Sequence, residues 1–412
     1  MPRKRSQLVS IRPASGPGRE AAPAAVAAPF PLAPPPLASP WRRGLDRLLV
    51  ALFLCALAIP GLGLALRLPG ARVRPRSEPP VPLPVVALDV KALRDFGPGF
   101  HRWFSNRLGY RAWLVREHSA LKLNAFHVSP SDKVILGLDG WLYLGAYNEW
   151  ACVRREKPFS TSELQAWKSL LERRRDWLAA GGIKFLFVVA PDKHTIYPEH
   201  LPRGLQPNGR PSRFDQLTDY LRQHSDVVVL DLRPALLTEK PRHLLYYPVD
   251  THWNDVGAFF AYREVCRSLH TWFPQVPLPE LDAYQLSVTP GRGGDLGPMI
   301  GLSPKEVPGD WVCLVPKSPR QAEVVSANPH FLQNTDIVVN DLITERKGAL
   351  LPRAVILRDS FAKALQPFLS ETFSRAAFLW TNRLDEEAIA RERPDVVIWE
   401  MVERDLYHPP PR

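Results

Sequence analysis

Short apolar runs alternate with amphipathic stretches along most of this 412-residue chain, and that alternation restricts its fold more than any other feature. Gly182–Ala190, Asp226–Leu232, Ala354–Leu357, Ala376–Trp380 and Asp395–Trp399 read as buried strands. Between them, Ser162–Ala180, Ser212–Gln223 and Asn254–Leu269 space their apolar residues at helical intervals. Val256, Phe259, Phe260 and Val265 mark one face of the last of these helices. An earlier helix is read over Arg111–Leu123, and Lys133–Leu144 reads as a hairpin turning at Asp139-Gly140. Strands that alternate with helices build a largely parallel sheet covered by helices, so the expected class is α/β. With 45% hydrophobic residues, the chain has ample material for such a core.

The N-terminal part follows different rules. Residues 1–47 are basic and rich in Pro and Ala, a composition that cannot bury a core, and read as a disordered tail. Leu48–Leu66 is a stretch of 19 residues without a charge, long enough for one transmembrane helix. Residues 67–89 are Pro-rich and read as a stiff linker to a folded domain at 90–412. Eight basic residues precede the apolar run and four follow closely, which favours a cytoplasmic N-terminus and an extracytoplasmic domain. The expected arrangement is a single pass of the cell membrane, with the N-terminus inside and the folded domain outside.

Charge supports this division. The whole chain carries +11, of which residues 1–78 account for +9 and residues 79–412 for +2. The excess belongs beside a membrane surface. A nearly neutral domain gives no footprint for nucleic acid, which is therefore not an expected partner. The four cysteines, Cys55, Cys152, Cys266 and Cys313, are too dispersed to spell a metal or redox motif. No metal and no cofactor are expected.

Two segments carry candidate chemistry. In Ala354-Val-Ile-Leu-Arg-Asp-Ser360, a strand ends and Ser360 stands where a helix should begin. Sites in open α/β sheets form at such strand ends, and helix N–H groups there can stabilise an oxyanion. The plainer alternative is that Asp359 or Ser360 only caps the helix. In Asp250-Thr-His252-Trp253-Asn254, residues two apart in an extended loop point the same way. Asp250 can then hold His252 in one tautomer while the other ring nitrogen faces a nucleophile. Together the segments supply acid, base and nucleophile as Asp250, His252 and Ser360.

These residues also carry a resemblance. Asp-Thr-His-Trp-Asn followed about a hundred residues later by Arg-Asp-Ser-Phe resembles the alginate O-acetyltransferase family (AlgJ/AlgX-type). Gly137-Leu-Asp-Gly-Trp-Leu-Tyr, Val189-Ala-Pro-Asp-Lys193-His-Thr-Ile-Tyr197-Pro-Glu-His-Leu-Pro, Gly294-Asp295-Leu296 and Pro394-Asp-Val-Val-Ile-Trp-Glu-Met-Val-Glu403-Arg404 agree with it. The likeness runs from about residue 90 to the C-terminus. It implies an SGNH-hydrolase-like (flavodoxin-like) domain with a permuted motif order and a Ser–His–Asp mechanism. It further implies acetyl transfer to an exported polysaccharide, with a membrane-bound O-acyltransferase supplying the acetyl group and other export proteins as partners. An esterase using water as acceptor, or a non-catalytic scaffold of an export complex, is the competing reading.

Two departures stand out. Arg358 replaces the Gly that precedes Asp-Ser in ordinary SGNH esterases, and the Gly and Asn of their oxyanion hole have no counterpart by motif. The chain also ends soon after Glu403-Arg404, leaving no room for the C-terminal carbohydrate-binding module of some members, which puts alginate itself in doubt. Lys193, Tyr197, Trp253, Asp295 and Arg358 are the candidate substrate-binding residues. Four of them have a plainer alternative: a solvated charge for Lys193, core packing for Tyr197 and Trp253, and turn stabilisation for Asp295. Glu403 and Arg404 are expected to pair with each other near the site.

Overall fold

The computed structural model describes residues 40–66, 83–84, 90–107, 111–146, 149–207, 209–291, 293–303, 305–307, 309–331 and 338–411. The tail up to residue 39 and all but two residues of the expected linker lie outside them. The chain divides into two compact units, Met1–Ala71 and Arg72–Arg412.

The first unit holds one helix, α1 (Pro40–Ala65). It starts inside the stretch read as tail, with Pro40 at its first position, where a missing N–H costs nothing. Leu48, Leu49, Val50, Leu52, Phe53 and Leu54 on it are exposed. Among the described residues, no helix is long and apolar enough to cross a membrane. Residues 56, 57, 59–61 and 63–65 of the apolar run lie outside the described side chains. The expected transmembrane helix is therefore not supported by the described residues.

The second unit begins with α2 (Val90–Arg107) and α3 (Arg111–Phe126), followed by β1 (Val134–Leu136) and β2 (Leu142–Leu144). β1 and β2 form the expected hairpin, and both Asp139 and Gly140 take the positive φ that a tight hairpin turn requires. Next come α4 (Glu149–Val153), α5 (Thr161–Ala180), β3 (Lys184–Ala190), α6 (Lys193–Ile196), α7 (Arg213–His224), β4 (Val229–Asp231), α8 (Arg233–Glu239) and α9 (Asp255–His270). The chain continues through β5 (Tyr284–Thr289), α10 (Leu296–Met299), β6 (Trp311–Pro316), β7 (Glu323–Phe331), β8 (Val338–Glu345) and β9 (Arg353–Leu357). It closes with α11 (Gln366–Leu369), β10 (Arg375–Leu379), α12 (Glu386–Glu392) and β11 (Val396–Val402).

Seven strands make the main sheet in the order β4-β3-β11-β9-β10-β8-β7. The first five are mutually parallel, as the alternation predicts. β8 and β7 join antiparallel at one edge, so the sheet is mixed. The sequence does not announce those two strands, because Asn328, Pro329, Asn340 and Asp341 break their apolar pattern. An edge strand tolerates a proline such as Pro329, whereas a central strand does not.

The central strands bury alternate side chains on opposite faces. Leu186, Val188, Ala354, Ile356 and Ile398 pack toward α9, while Phe187, Val189, Val355, Leu357 and Trp399 pack toward α5 and α7. Both faces are apolar because both carry helices, hence the near-continuous hydrophobic runs. Ser160 and Ser212 cap α5 and α7 through reciprocal boxes with Glu163 and Asp215. Asn254 caps α9, accepting from the N–H groups of Val256 and Gly257.

α9 presses its first turn against the segment before the His252 loop. A Cβ on Gly257 would lie 2.2 Å from the Leu245 carbonyl oxygen. Gly257→Ala must therefore push α9 away, and we expect a loss of about 1–3 kcal/mol, read as a lower urea midpoint. An unchanged midpoint would mean that this contact does not hold the helix in place.

Candidate active site

β3, β9 and β11 lie side by side and end at the same edge of the sheet. The residues after those ends, Asp192-Lys193, Asp359-Ser360 and Glu403-Arg404, form the floor of the candidate site. The Asp250–His252 loop reaches them from the segment before α9. The structure brings all three expected catalytic residues together. His252 Nδ1 lies 2.8 Å from Asp250 Oδ1, and His252 Nε2 lies 2.9 Å from Ser360 Oγ. Both are hydrogen-bond distances, and they commit the two ring nitrogens to different partners.

The capping question at Ser360 also resolves. Asp359 Oδ1 accepts the Phe361 N–H at 2.8 Å, and its Oδ2 accepts the Val402 N–H at 2.7 Å. Asp359 therefore does the capping, and the Ser360 hydroxyl is left to His252. The helix expected after Ser360 is only a short 3-10 turn, Phe361–Ala364.

Asp250 is buried and accepts from the His252 N–H at 2.9 Å and from the Asp295 N–H at 2.9 Å. Burial pushes its carboxyl up, but the hydrogen bonds and charge of His252 outweigh this and bring it below the ordinary carboxylate range. Asp295 sits beside it, with Oδ2 3.8 Å from His252 Nδ1, while its Oδ1 accepts the Thr251 N–H at 2.7 Å. Burial and then the Asp250 charge raise the Asp295 carboxyl. Asp295 thus shapes the Asp250–His252 loop, as the turn alternative expects, and adds a second carboxylate behind the imidazole.

The other candidates support rather than line. Lys193 is buried, and its Nζ donates to the carbonyls of Tyr247, Pro248 and Asp250 at 3.1, 3.0 and 2.7 Å. Burial brings its pKa down to about 7, against the pull of Asp250 and Asp295. It is neither a solvated charge nor a groove lysine, because all three donors anchor the acid–base loop. Tyr197 is buried against Trp141, with ring centroids 4.7 Å apart, and its hydroxyl accepts the Leu245 N–H. Trp253 is also buried, and its indole N–H donates to the Phe361 carbonyl at 3.0 Å, tying the His252 loop to the turn that carries Ser360. Arg358 is buried over the Trp380 ring at 4.5 Å and donates to the Asp359 and Asn340 carbonyls.

This sequence and its fold can be set beside known proteins. Residues 134–333 match the family model of the SGNH hydrolase-like domain of the acetyltransferase AlgX. A probable alginate O-acetylase AlgJ of Pseudomonas syringae pv. tomato is 26% identical over 321 residues, 73% of this chain and 74% of that protein. These likenesses support the AlgJ/AlgX-type family of SGNH-like acetyltransferases. A second probable AlgJ, from Pseudomonas fluorescens, is 25% identical over 200 residues, covering 48% of this chain and about half of the relative, 47%. The O-acetyltransferase domain of Pseudomonas putida AlgJ is a solved structure with a TM-score of 0.44 and 19% identity, covering 67% of this chain and 92% of that one.

The family match takes in Lys193, Asp250, His252 and Asp295, while Ser360 lies beyond it. The place of Ser360 in the site rests on geometry.

Sequence reasoning missed one buried cluster below the triad. Glu403 and Arg404 do not pair with each other as expected. Arg404 pairs with Asp192 and lies 3.9 Å from Glu149, while Glu403 accepts the Asp192 N–H and the Thr195 hydroxyl. His194 Nδ1 lies 2.8 Å from Glu149. Asp192 and His194 follow the end of β3, as Ser360 follows β9, and that position was the available signal. Glu149, Asp192 and His194 hold ligand-type atoms within 4.8 Å of one another, as do Asp250, His252 and Asp295. Arg404 already supplies positive charge to the first group, and His252 is committed to Asp250 and Ser360 in the second.

Burial opposes the charged form of His194, yet Glu149, Asp192 and Glu403 outweigh it and push its pKa up to about 9. The folded protein then holds this proton more tightly than the unfolded chain, where histidine titrates near 6.5. The stabilisation is complete below pH ~6.5 and fades as pH rises through about 9. Melting curves should show His194→Gln below the native protein by a margin that is widest near pH ~6 and narrows toward pH ~9.5. A margin that widens with pH contradicts the assignment.

Proposed function

We propose that this chain is a membrane-anchored O-acetyltransferase that moves acetyl groups through Ser360 onto hydroxyls of an exported polysaccharide. The hydrogen-bonded run Asp250–His252–Ser360, at 2.8 and 2.9 Å, carries this reading. In the first half-reaction His252 Nε2 takes the Ser360 proton as Oγ attacks the acetyl carbonyl of the donor. The donor's leaving group departs with that proton, and acetyl remains on Ser360 as an ester. In the second half, His252 takes the proton of a sugar hydroxyl, whose oxygen attacks the acetyl carbonyl. The bond from Ser360 Oγ to the acetyl carbon breaks, and Oγ recovers its proton from His252.

Asp250 offsets the positive charge on the imidazole at each stage. The Phe361 N–H is engaged by Asp359, so the Ser360 N–H is the backbone donor next to the nucleophile for the oxyanion. The anchor reading rests on the uncharged run Leu48–Leu66 and on the basic residues before it. It gives a cytoplasmic N-terminus and a periplasmic domain, and it brings a membrane-bound O-acyltransferase and other export proteins within reach as partners.

The enzyme is tested with an activated acetyl ester, with and without oligosaccharides. Acetylated sugar is the expected main product, with Ser360→Ala inactive and Asp250→Asn slower in kcat by about 10²–10⁴. Hydrolysis that ignores added sugar would convert the assignment to an esterase. Transfer that survives Ser360→Ala would remove the triad. The anchor is tested by carbonate washing of membranes, which should leave the full chain in the pellet. Release of the full chain into the wash would refute the anchor.

A further inference from the structure

The strongest unassigned feature is a groove of about 630 Å³ at the edge of the sheet that carries Ser360. Trp380, Asp341 and His330 line one part of it. Trp380 follows β10, the parallel neighbour of β9, and Asp341 and His330 lie on the antiparallel strands β8 and β7 beyond it. The groove thus lies at the same end of the sheet as Ser360. Arg358 makes the connection. Its N–H donates to the Leu379 carbonyl at 3.0 Å, its guanidinium lies 4.5 Å from the Trp380 ring, and it stands two residues before Ser360.

The chemistry of the lining is specific. Trp380 is half-buried, with its ring backed by Arg358, a flat apolar surface of the kind that packs against the C–H face of a sugar ring. The wall around it is polar and mostly negative. Asp341, Asp385, Glu386 and Glu387 supply four carboxylates against the guanidinium of Arg383 and the His330 imidazole, which lies 4.0 Å from Asp341, with the Arg358 guanidinium behind Trp380. Asp341 accepts the Trp380 N–H at 2.8 Å, and Asp385 caps α12, so both are fixed in place. Glu386 and Glu387 are exposed in the first turn of α12. Lys363, exposed on the turn after Ser360, is not among the lining residues.

Carboxylates accept hydrogen bonds from sugar hydroxyls, but they repel a chain that carries a carboxylate on every residue. We propose that this groove is the acceptor subsite of the transferase and that it selects uncharged glycan chains over polyuronates. The inference rests on the acetyltransferase reading given above and adds the substrate class to it. Sugar units lie along Trp380 and α12, and one hydroxyl reaches acetyl-Ser360. That hydroxyl gives its proton to His252, and its oxygen takes the acetyl carbon from Ser360.

The test uses the full chain, acetylated by an activated ester, and measures how the acetyl group partitions between water and two acceptors of equal length. Cellohexaose should be acetylated with a KM at least about ten-fold below that of a hexameric polyuronate. The KM for the polyuronate should fall as salt screens the repulsion. Glu386→Lys with Glu387→Lys should lower the polyuronate KM about ten-fold. A gain of this kind cannot come from misfolding. The inference is overturned by a native enzyme that prefers the polyuronate, or by a charge reversal that leaves both KM values unchanged. Absence of any acetyl-enzyme from the activated ester would instead refute the reading beneath it, so the two failures are separable.

Discussion

The buried ammonium of Lys193 holds the acid–base loop to the sheet, and the site depends on that attachment. Burying a cation is costly unless its hydrogen-bonding capacity is filled. The three carbonyls of Tyr247, Pro248 and Asp250 match the three N–H donors of an ammonium group. Through them, the end of a rigid central strand helps to set the height of a loop that is also tied by the Tyr246–Trp253 bridge and by the Leu142 and Leu296 N–H groups on the Pro248 and Val249 carbonyls. Asp250 and His252 are positioned by this contact, and Trp253 then ties the same loop to the turn that carries Ser360. The triad is therefore joined at both ends to structure outside itself.

Electrostatics around the site is arranged in tiers. Asp250 ionises readily because His252 and two backbone N–H groups favour its charge. Asp295, next to it, is pushed the other way by burial and by that same charge. Deeper still, Arg404 and His194 face Glu149, Asp192 and Glu403 among the sheet ends. Each buried carboxylate is thus accompanied by a positive group or by backbone donors, the condition under which interior charge is tolerated.

The parallel half of the sheet was legible in the sequence because helices on both sides demand continuous apolar runs. Phe187 and Val188, adjacent in β3, are buried on opposite faces. The antiparallel edge was not legible, since β7 and β8 alternate polar and apolar residues irregularly and carry Pro329. Asp250, His252 and Ser360 were legible because an Asp and a His two apart in a loop, joined with a Ser at a strand end, supply every group that acyl transfer needs. Lys193 and Arg404 were misjudged for one shared reason. A long charged side chain gives no sign in the sequence of whether its end turns inward, and here both ends point into the interior, where carbonyls and carboxylates await them.

Asp359 governs how Ser360 is presented. By taking the capping role, it lets Ser360 keep an ordinary helical backbone, with φ −71° and ψ −27°. Many serine hydrolases instead raise the nucleophile on a sharp, strained elbow that demands small residues on either side. No such spring is wound here, and Arg358 and Phe361 can be as large as they are. The bulk that an elbow would forbid is used to brace the turn, with Arg358 against Trp380 on one side and Phe361 against His252 and Trp253 on the other. The serine is held by its neighbours' mass instead of by its own backbone tension.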